Sequence, residues 1–445
     1  MTHEGGTPAE IVVIGGGCSG SLITTALLEA ADRVSITMFE QRALLGRGLA
    51  YSTSARAHLL NVRASALSAR VEDPDHFLEW AQRRDPAIVK SDFLPRSWYG
   101  EYLEEELRAA AAASTSSFRS VQGRVVSIRR RAERLEVQYE AGRVLADHVV
   151  LALGHVGQNN PIRHVRWPVG HPQYIDNPWT TNVLRELDDS VPTLLLGTGL
   201  TMVDTALAIR ARRSSAALIA VSRHGLLPRR HASAAPAPTP RPPEPPSPTS
   251  AADLLRWVRP YVVAAGDDWA VAIDALRPIT NELWRSLSPA DQARFLRHAH
   301  RYWEVHRHRL PPSVGDEIEH LVADGSLSIV AGRLTNARSI ERRRVQVEIR
   351  RRSGEVERLT VGAVINCTGP TTSLDRSNDA LVVGLLGRGM ARCGPHGLGL
   401  DVDDSGSVAD AIGRPQRRLS ALGPLCRGAR WETTAVPEIR AQAFA

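Results

Sequence analysis

Lysine is almost absent from this 445-residue sequence: Lys90 stands alone among 55 lysines and arginines. Schiff-base chemistry, which needs a lysine amine in a suitable pocket, therefore has little to work with. Cysteine is scarce as well. Cys18, Cys367, Cys393 and Cys426 form no C-x-x-C pair and no zinc spacing. That sets aside disulfide reductases working through two cysteines close in sequence. Aromatic residues make up only 5% of the chain. The arginines are scattered and not interleaved with them, so the net charge of +7 reads as an arginine-rich surface. Nucleic acid is not an expected partner. No apolar run reaches the ~18 residues that span a bilayer, so no membrane segment is expected. The stretch Met1 to Glu10 is polar and carries Glu4 and Glu10, unlike a secretion signal. A cytoplasmic location is the default expectation.

What remains is ordinary globular material, 43% hydrophobic and 23% charged. The length suits two domains or three. Ile11 to Ile14 is a short apolar run of the kind that forms a buried parallel strand. A glycine-rich turn and a helical pattern through Leu22, Ile23, Ala26, Leu27 and Ala30 follow it. Val34 to Phe39 is the next strand and ends at Glu40. Helices are expected over Asp75 to Arg84 and Arg96 to Ala113. An antiparallel meander is expected over Val121 to Arg130, Leu135 to Tyr139 and Val144 to Leu153. The order then restarts with a strand at Thr193 to Leu196, a turn, a helix at Met202 to Arg212 and a strand at Ala217 to Ser222. Pro228 to Ser250 is too rich in proline to build a core and reads as a mobile surface loop. Ala251 to Ala323 is helical. Strands return at Leu327 to Val330, Leu334 to Ile340, Val345 to Arg350, Arg358 to Val361 and Ala363 to Asn366.

The first turn is Gly15-x-Gly17-x-x-Gly20, with Cys18 and Ser19 inside it. Such a motif is weak alone. Here it follows a strand, opens a helix and has an acid, Glu40, twenty residues beyond its last glycine, which is the dinucleotide-binding context. Gly15 allows the tight turn, Gly17 lets a pyrophosphate approach the backbone, and Gly20 lets helix and strand pack closely. The helix N-terminus offers free N–H groups to phosphate. Glu40 can accept from a ribose. The second turn is Gly197-x-Gly199-Leu200-Thr201-Met202, imperfect because methionine stands in the third glycine position. Its second strand ends in Ser222-Arg223-His224 with no carboxylate, which favours NADPH over NADH, since an arginine can pair with a 2′-phosphate. Each unit closes on a strand and a glycine: Leu151 to Gly154, then Val364 to Gly369 with Thr368 before the last glycine. The fold class is α/β, with two Rossmann-like dinucleotide-binding domains, antiparallel β-meanders and a helical insert.

At this point the sequence resembles the two-dinucleotide-binding flavoproteins, which include flavin-containing and N-hydroxylating monooxygenases. Gly46-Arg47-Gly48-Leu49-Ala50-Tyr51, His58 to Val62, Gly199 to Asp204, Ser222 to Gly225, Trp303 to Pro311 and Trp431 to Arg440 resemble a bacterial FAD/NAD(P)-binding oxidoreductase family. That family includes FAD-dependent urate hydroxylases. The resemblance implies FAD in a discontinuous domain of residues 1–158 and 365–445. It implies NADPH, or NADH, in residues 159–364, which hold the proline-rich loop 228–250 and helical insert 251–323. It implies flavin-facing positions at Gly46, Gly48, Tyr51 and Asn61, beside Gly154 on the strand end. The expected activity is NAD(P)H-driven flavin reduction, with hydroxylation of a small molecule, a nitrogen-rich one included. A dehydrogenase or reductase without oxygenation is the alternative, as is an FAD-binding redox protein of low turnover. A homodimer is left open.

No catalytic acid or base is assigned by sequence, although Glu432 and Glu438 are candidates near the returning tail. His298, His300, His306 and His308 suggest a metal site only superficially. They alternate with Arg297, Arg301, Arg307 and Arg309, whose charge opposes a dication. A basic lining for an anionic substrate is the other option, and no metal is expected.

Overall fold

A computed structural model describes residues 8–445, apart from 31–32, 158–160, 163–164, 166–172, 180–183, 185–186, 189, 233–241, 248–249, 342, 372 and 375–376. The chain opens with β1 (Ala9–Ile14), α1 (Cys18–Glu29) and β2 (Val34–Glu40). Helices α2 (His76–Gln82) and α3 (Arg96–Ala113) follow. Next come β3 (Ser117–Gln122), β4 (Val125–Arg131), β5 (Arg134–Tyr139), β6 (Gly142–Ala146) and β7 (His148–Leu151). After the short β8 (Tyr174–Ile175) the order repeats with β9 (Thr193–Leu196), α4 (Leu200–Arg210) and β10 (Leu218–Ser222). A run of helices intervenes: α5 (Ala251–Ala264), α6 (Trp269–Ala275), α7 (Thr280–Ser286), α8 (Pro289–His298), α9 (His300–Arg307) and α10 (Pro312–Ala323). Strands β11 (Leu327–Glu341), β12 (Arg344–Arg351), β13 (Val356–Val361) and β14 (Ala363–Asn366) return. The chain ends with α11 (Ala380–Gly387), β15 (Ser407–Ala409), β16 (Pro415–Ala421) and α12 (Val436–Phe444).

The first sheet has the order β15-β16-β7-β1-β2-β3, so residues near both ends of the chain share it. Strands β16, β7, β1, β2 and β3 run parallel, and β15 is the antiparallel edge. Strand β1 lies between two partners with helices over the sheet, which is why Val12 and Val13 are fully buried and the strand shows no alternation. The second sheet has the order β13-β12-β11-β10-β9-β14-β8, parallel from β11 to β8 and antiparallel beyond. The third is the antiparallel meander β4-β5-β6.

Four sequence expectations need correction. Val121 to Arg130 is the end of β3 plus β4, because the chain leaves the parallel sheet at Gly123 and enters the meander. Val144 to Leu153 likewise splits at Asp147 into β6 of the meander and β7 of the first parallel sheet. Leu327 to Val330 and Leu334 to Ile340 are one strand. Its first part pairs parallel with β10 and its second antiparallel with β12, through Gly332. The loop 228–250 is tethered at its start: Arg230 bridges Leu310, and Arg229 and His231 exchange backbone hydrogen bonds with Val305 and Leu310. Those residues have free N–H groups, which the prolines after them lack. Residues 233–241 and 248–249 of that loop lie outside the described residues.

Candidate functional site

The two glycine turns are built alike. Gly15 N–H donates to Phe39 O at 2.8 Å, and Gly197 N–H donates to Val221 O at 2.8 Å. Ala152 N–H closes on Ile14 O at 2.9 Å, and Cys367 N–H closes on Leu196 O at 2.8 Å. Gly15 has φ +104°, and a Cβ there would stand 2.4 Å from Ala152 O. Gly197 has φ +110°, and a Cβ there would stand 2.5 Å from Cys367 O. Only glycine fits either place, by conformation and by space. Gly17 and Gly199 then cap α1 and α4 in nearly the same extended geometry, with no side chain on the helix N–H groups. Both helices therefore present free backbone donors and a positive dipole end at their glycine turns. Gly154 and Gly369 follow the two closing strands with positive φ, and no atom lies within 4 Å of a Cβ on either.

Differences between the turns are informative. A Cβ on Gly20 would lie 1.8 Å from Gly15 O, so α1 packs directly on its turn. At the matching place Met202 is fully buried in the core of the second unit, with Val203 and Ala206. Cys18 and Ser19 lie in the first turn of α1, and burial raises the Cys18 thiol to about 12. Cys367 and Cys426 are pushed up to about 12 by burial as well. None of the four cysteines forms a disulfide. The thiols of Cys18, Cys367 and Cys426 are packing groups, not nucleophiles.

Glu40 is 6% exposed, and its Oε2 accepts from Gly16 N–H at 2.8 Å. Its Oε1 accepts from Arg42 N–H at 3.0 Å. The segment after it folds back over the turn. Gly46 N–H donates to Gly16 O at 2.8 Å, and the Gly48 Cα would lie 3.1 Å from a Cβ on Gly17. Tyr51 packs edge-on to Tyr99 at 5.0 Å, and burial raises its phenol well above the usual range. The Asn61 carbonyl faces His231 Nε2 at 3.1 Å. In the second unit, Leu200 and Thr201 open α4, and Thr368 donates through N–H and Oγ1 to Asn366 Oδ1.

The two units also differ at the tip of the second strand. Where the first has Glu40, the second has Arg223, exposed and facing Arg301 of α9 and Arg333 of β11. Desolvation lowers its pKa, and those two cations lower it further. Arg352 joins them around His224, whose pKa falls by desolvation and then by Arg223, Arg352, Arg301 and Arg333. Among the described residues no carboxylate forms an ion pair with any of the four. Sequence reasoning placed only Arg223 here; it named Arg301 as a possible basic lining, but not beside Arg223. The other three come from distant elements, and no spacing could announce them.

A second polar cluster lies where the helical insert meets the tail. Glu304 Oε1 accepts from His300 Nε2 at 3.0 Å and from Arg427 at 2.9 Å, with His308 Nε2 at 3.8 Å. Burial alone would raise the Glu304 pKa. The His300 hydrogen bond and the charges of His308 and Arg427 outweigh it and hold the carboxyl well below its usual range. Arg427 also lies over the Trp431 ring at 4.7 Å. His155, one residue past Gly154, is within electrostatic reach of Arg427 and Glu304. It is exposed, yet desolvation and then Arg427 lower it to about 4. The carboxylates singled out from the sequence are engaged elsewhere. Glu432 pairs with Arg307, both 5% exposed, and Glu438 pairs with Arg277 at 2.6 Å. His306 lies edge-on to Trp269 instead. No group able to hold a metal occurs among the described residues. No helix there is long and apolar enough to cross a membrane.

Residues 12–156 match a protein family described as FAD-NAD(P)-binding. An uncharacterised protein of Escherichia coli K12, YdhS, is 25% identical over 229 residues, which are 46% of this chain and 40% of that one. This chain thus matches less than half of that relative's length. Solved structures of similar fold cover nearly the whole chain. The ornithine N-hydroxylase of Kutzneria sp. 744 gives a TM-score of 0.65 at 13% identity, over 98% of this chain and 97% of that one. The L-lysine 6-monooxygenase of Pseudomonas syringae gives 0.64 at 16%, over 98% and 96%. The bacillithiol disulfide reductase of Staphylococcus aureus gives 0.58 at 12%, over 98% and 96%. This is an FAD/NAD(P)-binding flavoprotein fold, and the same fold serves different chemistries.

Proposed function

We propose that this chain is an FAD-dependent oxidoreductase that takes hydride from NADPH and hydroxylates a small molecule. The observation that carries the reading is the duplicated turn with opposite ribose ends, Glu40 in one unit and unpaired arginines in the other. FAD belongs to the first turn, held by Gly15, Gly17, Cys18, Ser19, Gly20 and Glu40, with Gly46, Gly48, Tyr51, Asn61 and Gly154 along it. NADPH belongs to the second, at Gly197, Gly199, Leu200, Thr201, Arg223, Thr368 and Gly369. The flavin domain comprises residues 1–158 and 365–445, and the nicotinamide domain residues 159–364.

The residues present suit both groups. Two uncapped helix N-termini aim backbone donors at phosphate. Gly199, Gly154 and Gly369 leave open space where a Cβ would intrude. Glu40 keeps an anion at the first ribose, where hydroxyls donate. Arg223, Arg301, Arg333 and Arg352 offer guanidinium donors at the second, where NADPH carries an extra phosphate. Bound FAD supplies hydride acceptance and, once reduced, reaction with dioxygen. The free, buried thiols give no support to a dithiol mechanism.

Purified protein should be yellow and release FAD on denaturation. Anaerobic addition of NADPH should bleach it faster than NADH at equal concentration. Labelled dioxygen then decides the outcome: label in product supports a monooxygenase, and label only in peroxide or water supports a reductase. A colourless protein would sink the whole reading.

A further inference from the structure

The cluster around Glu304 contains a matched set of unused hydrogen-bonding atoms. Glu304 binds His300 and Arg427 through Oε1 alone, and Oε2 has no partner among the described residues. The side chain is 27% exposed, and Oε2 is not sealed from solvent. Arg427 spends one Nη on Glu304 and lays its plane over Trp431. Its other nitrogens make no hydrogen bond among the described residues and are not sealed from solvent. His155 contributes an imidazole from the end of β7 with no partner among the described residues. Three chain segments meet here: the turn after β7, helix α9 with His308 just beyond it, and the tail at Arg427 and Trp431.

We propose that His155, Glu304 and Arg427 form the substrate subsite, and that it takes a small uncharged molecule presenting an N–H beside a C=O, such as a lactam or imide ring. Glu304 Oε2 accepts from the N–H, the free Arg427 nitrogens donate to the C=O, and His155 closes the remaining side. The choice of an uncharged ligand follows from the ion pair. A free ammonium would compete with Arg427 for Glu304, and a free carboxylate would compete with Glu304 for Arg427. Either leaves a partly buried charge unmatched, which is costly. A neutral donor and acceptor side by side satisfy both groups and leave the pair intact. His155 suits such a ligand, because desolvation and then Arg427 keep it neutral down to about pH 4. Neutral imidazole offers one donor and one acceptor. The subsite differs in this from what the fold neighbours' names imply, since ornithine and lysine carry ammonium groups.

The proposal rests on the flavin reading, because His155 adjoins Gly154, where that reading puts the cofactor. The experiment uses the flavin-loaded full chain and four probes: succinimide, 2-piperidone, cadaverine and benzoate. Binding is read by thermal melting and by the flavin difference spectrum. Succinimide and 2-piperidone should give saturable shifts. Glu304→Gln and Arg427→Met should each weaken them at least tenfold. His155→Asn, at an exposed position, should weaken them at least threefold and guards against variants that fail to fold. A yellow wild type that answers to cadaverine or benzoate but not to the two neutral probes overturns the subsite. So does a neutral-probe response that all folded variants retain. A colourless wild type overturns the functional proposal instead, and melting with the same probes still tests the cluster.

Discussion

Arg96 grips Asp204 through both oxygens, Nη1 to Oδ2 at 2.7 Å and Nη2 to Oδ1 at 3.2 Å. Arg96 begins α3 of the first unit, and Asp204 lies in α4 of the second, 108 residues on. His58 Nε2 reaches the Asp204 carbonyl at 3.1 Å, and Arg96 Nε holds Leu59 O at 2.9 Å. One aspartate thus fastens the segment carrying Asn61 to the helix whose N-terminus is Gly199.

The Arg96–Asp204 pair is mostly buried, with side chains 16% and 7% exposed. Asp204→Asn leaves Arg96 without its counter-charge. It should cost about 3–5 kcal/mol, the usual penalty for breaking a buried pair from one side. The double variant Arg96→Met, Asp204→Leu should recover most of that. Urea melts of the three proteins check it, and equal stability of single variant and wild type would refute the coupling.

Gly20 and Gly199 should respond oppositely to alanine. At Gly20 the new Cβ would sit 1.8 Å from a carbonyl oxygen, so Gly20→Ala must push α1 off its turn and lose flavin. At Gly199 nothing lies within 4 Å, and φ is an ordinary −88°. Gly199→Ala should melt like wild type and keep its flavin, yet reduce more slowly with NADPH because the methyl narrows the pyrophosphate path. Flavin absorbance per chain and bleaching rates measure both.

Arg223→Ala should weaken NADPH and spare NADH. A charge-assisted hydrogen bond is worth about 1.5–3 kcal/mol, and 1.4 kcal/mol is tenfold in affinity. At least a tenfold rise in the half-saturating NADPH concentration is expected. Arg301→Ala and Arg333→Ala should act in the same direction with smaller effect. A matching loss with NADH would mean that Arg223 is structural.

Acid should destabilise the protein before its carboxylates titrate. His155 and His231 are both lowered to about 4, by desolvation first and then by arginine charge. Between pH 6.5 and 4 the unfolded chain therefore binds protons that the folded chain refuses. Stability is full above about pH 6.5 and falls as pH drops toward 4. Melting temperature against pH should show that decline, and His231→Asn should flatten it. A flat profile in wild type would mean that these imidazoles charge freely in the fold.

Much of the molecule was legible in the chain because its signals are local. Arg96 to Ala113, Thr193 to Leu196 and Ala363 to Asn366 match their expected elements residue for residue, since apolar period and breakers lie within a few positions. The glycine turns were legible for the same reason: a tight turn, a helix start and an acid must fall at fixed offsets along one strand–helix–strand unit. Long-range partners were not. β8, α11 and β15 went unforeseen. So did the sheet changes at Gly123 and Asp147, because a strand's partner is set by where the sheet lies, not by the strand's own residues. The same limit governs the chemistry. Sequence alone determined two glycine turns, with an acid at the end of one second strand and an arginine at the end of the other. Only folding decided that Arg301, Arg333 and Arg352 gather beside Arg223. Only folding spent Glu432 on Arg307, and left Glu304 with one oxygen held and one free. Charges far apart in the chain acquire their partners only when the core brings their elements together, and the core is built by apolar residues that carry no chemistry of their own.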